Sequence, residues 1–115
     1  MIWLLTQVAI GGALGSVLRY LTISLVGGPM ATFAVNVLGS LVIGILFVAL
    51  SPRLSPLLMT GVLGGFTTFS AFSLDALRLY EGGQMPQAML YVAGSVISSL
   101  AAVALGAALA RGALA

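Results

Sequence analysis

The sequence predicts an all-α membrane protein, a single domain over residues 1–115 built from four transmembrane helices. Three observations predict it. Charged residues make up 5% of the chain, against about 25% in soluble domains, too few to cover a water-facing surface. Hydrophobic residues make up 61% and the mean hydropathy is +1.24. Proline-marked connections divide the chain into four apolar segments, roughly 2–26, 30–50, 56–80 and 86–111, and each meets the requirement of about 20 residues for a membrane helix.

The first segment opens on MIWLLTQVAI, with no Lys or Arg before its apolar run. A cleavable signal peptide needs a positive region there, so the segment reads as a retained span. It ends at Gly27-Gly28-Pro29, and the second span runs to the connection Ser51-Pro52-Arg53-Leu54-Ser55-Pro56. Ser55 followed by Pro56 has the form of an N-cap and first helical position. The third span closes at Gly82 and Gly83, residues suited to a helix C-terminus. The fourth runs from Pro86 to Arg111. Small residues recur four apart at Gly11/Gly15, Gly12/Ser16, Gly61/Gly65 and Gly94/Ser98. That spacing permits close helix approach, either within one chain or between copies.

The third span carries the most informative stretch, Gly61–Ser73, GVLGGFTTFSAFS. In hydrocarbon an unpaired backbone group costs several kcal/mol, so non-helical backbone survives only inside protein or beside a water-filled cavity. Gly-Gly followed by Thr-Thr is where a helix can open, and the third span has residues to spare for a turn near Gly64 to Thr68. Opened carbonyls and a threonine hydroxyl would present oxygen ligands suited to a hard cation such as sodium. The alternative is a tight glycine crossing with threonines bonded to their own helix.

The six charged residues are Arg19, Arg53, Arg78, Arg111, Asp75 and Glu81. Their net excess of two arginines forms no basic patch, so nucleic acid is not expected as a partner. With no cysteine and no histidine, thiol chemistry and the commonest transition-metal ligands are missing. No Ser/His/Asp set and no phosphate loop is present, and an enzyme is not expected. Arg53 and Arg111 fall on one side of the four spans, Arg19 and Arg78 towards the other. The positive-inside rule therefore favours neither orientation. The expectation is insertion in both orientations and pairing as an antiparallel homodimer, which would supply the inverted repeat many transporters encode in one chain.

Several polar and aromatic residues bear on an ion pathway. Arg19 reads as a snorkelling anchor beside Tyr20 or as an electropositive vestibule. Asn36, with Thr32 one turn earlier on its face, reads as glue to a neighbouring helix or as an amide facing a pathway. Phe69 and Phe72 share a helix face, as packing rings or as ring edges of positive potential offered to a small anion. Arg78 is three residues from both Asp75 and Glu81 and can pair with either. Asp75 lies deeper and is the one acid with a claim to a pathway role.

GGALGSVLRY, ATFAVNVLGSLVIG and GVLGGFTTFSAFS, in this order and spacing, resemble the Fluc/CrcB fluoride channels over nearly the whole chain. The resemblance implies a dual-topology antiparallel homodimer in the cytoplasmic (inner) membrane, with two pathways for passive fluoride export. It also implies a structural Na+ at the dimer centre, held by the backbone carbonyls of Gly64 and Thr67 from both copies in a third helix broken mid-span. The fluoride pathway it implies comprises Asn36, Phe69, Phe72, Thr32, Tyr91, Ser95, Ser99, Arg19 and Asp75. Ala71 and Val103 depart from the family's polar track. The rival readings are a proton-coupled small multidrug-type exporter and a non-transporting membrane scaffold subunit. The exporter needs an embedded carboxylate, typically in the first span, where this chain has none.

Overall fold

The computed structural model describes residues 1–115. Helix α1 (Ile2–Val26) is followed by α2 (Gly28–Ala49), a π-helix (Pro56–Leu63), α3 (Gly64–Phe66), α4 (Phe69–Glu81) and α5 (Met85–Leu114). Four stretches, Ile2–Val26, Gly28–Ala49, Pro56–Glu81 and Met85–Leu114, are long and apolar enough to cross a membrane. Together with the near absence of charge, they make this a multi-pass membrane protein. The reversal between α1 and α2 is tight because Gly27 and Gly28 take φ of 76° and 70°, a region open to glycine at little steric cost.

The spans pack as two close pairs. α1 lies along the π-helix and α3, and α2 lies along α5, while α4 leans across onto α5. Glycine makes both pairings possible. A Cβ added at Gly61 would sit 2.9 Å from Gly11 Cα, and one at Gly65 would sit 2.6 Å from the Gly12 carbonyl oxygen. In the second pair, a Cβ on Gly44 would lie 3.1 Å from the Ala107 nitrogen, and one on Gly106 3.1 Å from the Ile45 nitrogen. The repeats Gly11/Gly15 and Gly61/Gly65 thus bring helices of one chain together by main-chain approach, the mode that replaces the hydrophobic effect between helices in lipid. Gly94 behaves differently. Nothing of this chain lies within 4 Å of its Cβ position, so the Gly94/Ser98 spacing makes no close helix contact here.

Two local features depart from the sequence expectation. Ser55 stands at the N-cap position but is helical (φ −56°, ψ −43°) and makes no capping bond. Its hydroxyl instead approaches the Met59 sulfur at 3.4 Å. The capping geometry needs extended backbone, which the preceding turn at Pro52–Leu54 does not leave. The π-helix is the second departure. Its closing contact runs from the Gly64 N–H to the Met59 carbonyl, five residues back. Such wide turns are rare and recur at functional sites.

Candidate functional site

Beyond α3, Thr67 (φ −80°, ψ 157°) and Thr68 (φ −152°, ψ 123°) are extended between two helical runs. Their peptide groups must find partners outside the helical pattern. Asn36 on α2 supplies two. Its Oδ1 accepts the Thr68 N–H at 2.7 Å, and its Nδ2 donates to the Thr68 carbonyl at 2.9 Å. One primary amide, with an acceptor and a donor on the same plane, meets both polar groups of one residue. Thr68 then caps α4: its hydroxyl accepts the Ala71 N–H at 3.1 Å and lies 3.3 Å from the Ser70 hydroxyl. Thr67 bonds backwards, through both its N–H and its hydroxyl, to the Leu63 carbonyl at 3.0 and 2.9 Å.

These bonds redirect donors. In a continuous α-helix the Gly64 carbonyl accepts from Thr68 and the Thr67 carbonyl from Ala71. Here the Thr68 N–H goes to Asn36 and the Ala71 N–H to the Thr68 hydroxyl. The Gly64 and Thr67 carbonyls, expected to hold a cation, have therefore lost their ordinary helical donors. Gly64 is exposed on the chain's own surface, and Thr67 is half-buried.

Both face an open groove of about 380 Å³ that is also lined by Asn36, Phe69, Phe72, Ser95 and Ser99. Seven residues expected to serve an ion site thus share one groove, contributed by α2, the third span and α5. Phe69 is 77% exposed on it, and Phe72 is buried. The two rings meet edge to face, centroids 5.4 Å apart at 66°. The Ser95 hydroxyl is buried without a hydrogen-bond partner. An orphan donor of this kind costs stability, and Ser95 is one of the residues that line the groove.

A second cluster adjoins the first. Tyr91 packs on Phe72 with centroids 5.3 Å apart, and its hydroxyl donates to Asp75 Oδ2 at 3.2 Å. The same oxygen accepts from Thr32 at 2.7 Å. Arg78 reaches Asp75 Oδ1 at 3.7 Å, though its side chain is 69% exposed, which makes that pair weak. Asp75 therefore ties α2 and α5 to α4. Asp75→Ala should strand the buried Thr32 hydroxyl and the Tyr91 hydroxyl, at about 1–3 kcal/mol each. Asp75→Asn keeps an oxygen for both and should recover most of the stability, as thermal unfolding in detergent would read.

Arg19 stands apart. It is half-buried on α1, pairs with no carboxylate and does not line the groove. Sequence reasoning missed Gly39 and Ser40, which line the groove beside Asn36, and Thr68, the residue on which Asn36 acts. A threonine three residues before Ala71 at a helix start was the available signal for Thr68.

Comparison with known proteins decides the family. Residues 6–107 match the model described as CrcB-like protein, Camphor Resistance (CrcB). The chain belongs to the CrcB-like family. A relative from Paracoccus denitrificans is 50% identical over 115 residues, covering 92% of this chain and 93% of its own length. Another, from Cereibacter sphaeroides, is 54% identical over 121 residues, covering 97% and 98%. A third, from Jannaschia sp., is 56% identical over 93 residues, covering 76% and 89%. All three carry the name Fluoride-specific ion channel FluC. This CrcB-like protein thus matches relatives named for ion conduction, not for an enzymatic activity.

Proposed function

We propose that this protein is a fluoride-selective channel that allows passive export of F⁻ across the cytoplasmic membrane. The observation that carries the reading is the groove itself, where Asn36, the Phe69 and Phe72 rings and the Ser95 and Ser99 hydroxyls converge without a lysine, arginine or carboxylate among its lining. Fluoride is small and strongly hydrated, so a path through lipid must replace water with other donors. A fixed cation would trap the ion. Amide, hydroxyl and ring-edge donors bind strongly enough to admit it and weakly enough to release it.

The groove is open on one side in the single chain. We place a second copy there in the opposite orientation, which two arginines at each end of the spans would permit. In that dimer the Gly64 and Thr67 carbonyls from both copies would hold a structural Na+, an ion that takes oxygen ligands. The fit rests on the diversion of their helical donors to Asn36 and Thr68. The ion would supply a fixed positive charge that knits the two chains. Ser95 and Ser99 would continue the pathway along α5, Tyr91, Thr32 and Asp75 would mark its end, and Arg19 would line a vestibule.

The multidrug-type reading fares worse. The one deep carboxylate, Asp75, already accepts from two hydroxyls and has Arg78 nearby. Phe69→Ile supplies the test. Because Phe69 is 77% exposed, the substitution should leave the fold intact. It removes a ring edge worth about 0.5–1.5 kcal/mol in aromatic contacts, and fluoride efflux from proteoliposomes should fall by about twofold to tenfold, since 1.36 kcal/mol on a barrier is tenfold. Normal efflux from that variant would remove the ring from the mechanism.

A further inference from the structure

The face of α2 that carries Asn36 also carries Gly39, three residues on and therefore beside it on the helix surface. Gly39 is buried. A Cβ built on it would overlap Thr67 Cγ2 and stand 3.5 Å from Phe66 Cδ2. The missing side chain at 39 is thus a notch filled by the Thr67 methyl group. The other branch of Thr67 is its hydroxyl, which donates to the Leu63 carbonyl at 2.9 Å. With the methyl seated on α2 and the hydroxyl tied to Leu63, the Thr67 side chain is fixed at both branches. Rotation about χ1 cannot clear the notch without also moving the hydroxyl, because the two groups share one β-carbon.

We propose that Gly39 is a positioning residue for the ion-holding backbone: it seats Thr67, and so aims the Thr67 and Gly64 carbonyls into the groove. Asn36 fixes the next peptide along, and the two α2 residues together template the extended pair. One takes its polar groups and the other takes its methyl. The inference deepens the sodium reading above and rests on it for the identity of the ion, while the seating of Thr67 stands on the packing alone.

The complementarity predicts a specific rescue. Gly39→Ala fills the notch. Thr67→Ser empties it again from the other side, removing Cγ2 while keeping the hydroxyl for Leu63. The wild type, both single variants and the double variant would be purified in detergent. Thermal unfolding would be followed in sodium and in sodium-free N-methylglucamine buffer. Gly39→Ala should weaken the sodium-dependent rise in Tm, with an apparent sodium affinity about tenfold lower. That corresponds to the coupling of about 1.4 kcal/mol typical of residues in contact. Thr67→Ser alone leaves the notch empty and should weaken the sodium dependence by less than Gly39→Ala does. The double variant, with the notch filled from the α2 side, should regain most of the wild-type sodium dependence.

An unchanged sodium dependence in Gly39→Ala overturns the proposal. So does a loss of Tm there that is equal in both buffers, which would mark mere packing, or a double variant no better than Gly39→Ala. If Gly39→Ala yields no folded protein, the double variant must fold for the proposal to stand. A wild type without any sodium-dependent rise would refute the sodium reading instead, and rescue of Tm in sodium-free buffer would still report on the notch.

Discussion

Asn36→Asp should abolish fluoride throughput. The substitution keeps the size of the side chain and one oxygen for the Thr68 N–H, but it replaces the Nδ2 donor, 2.9 Å from the Thr68 carbonyl, with a second oxygen. Two acceptors at hydrogen-bond distance repel. The carboxylate must either ionise in the groove proposed to conduct anions or take a proton to restore the donor. If it ionises, it opposes fluoride directly: like charges at about 4 Å repel by about 4 kcal/mol at an effective dielectric of 20. A barrier raised by only about 2.7 kcal/mol slows passage about a hundredfold, so efflux should drop to the background of empty vesicles. If it protonates, the clamp survives and flux should return as the assay is made more acidic. Asn36→Leu separates the clamp from the charge. It leaves a buried N–H and carbonyl on Thr68 unpaired, at about 1–3 kcal/mol each, and should lower thermal stability as well as flux. Wild-type efflux from Asn36→Asp at neutral pH would show that this amide serves neither purpose.

The second large effect is structural and lies on α1. Gly15→Val should prevent the chain from folding. A Cβ at residue 15 would stand 2.8 Å from the Phe66 nitrogen and 2.9 Å from the Val62 carbonyl carbon. These are main-chain atoms and cannot rotate away. Overpacking commonly costs about 1–3 kcal/mol, and here it would force α1 off the segment that leads into Thr67. The expected result is loss of the monodisperse peak in size-exclusion chromatography. Gly12 is the internal control, because nothing lies within 4 Å of its Cβ position. Gly12→Ala should fold normally, and helix propensity favours it by up to about 1 kcal/mol. Equal tolerance at both positions would mean that α1 does not approach the third span as described.

The contrast between Gly15 and Gly12 shows what a sequence can convey. The four spans and their limits were legible because hydrophobicity and proline punctuation act locally. Gly27, Gly28 and Gly83 mark reversals for the same reason. Gly15 and Gly12 look identical as letters, and only the arrangement of α1 against the third span distinguishes them. Gly-Gly-Phe-Thr-Thr could be read as a stretch where a helix can open. Which peptide groups are released depends on Asn36, 32 residues away, and no local pattern reports a contact over that distance. The π-helix was hidden for a related reason, since its residues Pro56–Leu63 have nothing in composition that sets five-residue bonding above four.

Asp75 was partly legible. Its spacing from Arg78 announced the weak ion pair, while the stronger partners, Thr32 and Tyr91, come from other helices. Phe69 and Phe72 were legible as a pair on one face. Their difference in exposure follows from α5 covering one ring through Tyr91 and leaving the other open.

Conduction of fluoride through the groove beside the extended threonines is tested most directly by efflux. Proteoliposomes would be loaded with potassium fluoride, or with potassium chloride as the control, and relieved of their membrane potential by valinomycin. Ion-selective electrodes should then record rapid emptying of fluoride and retention of chloride. Retention of both ions, or release of both at similar rates, would contradict a fluoride-selective pathway.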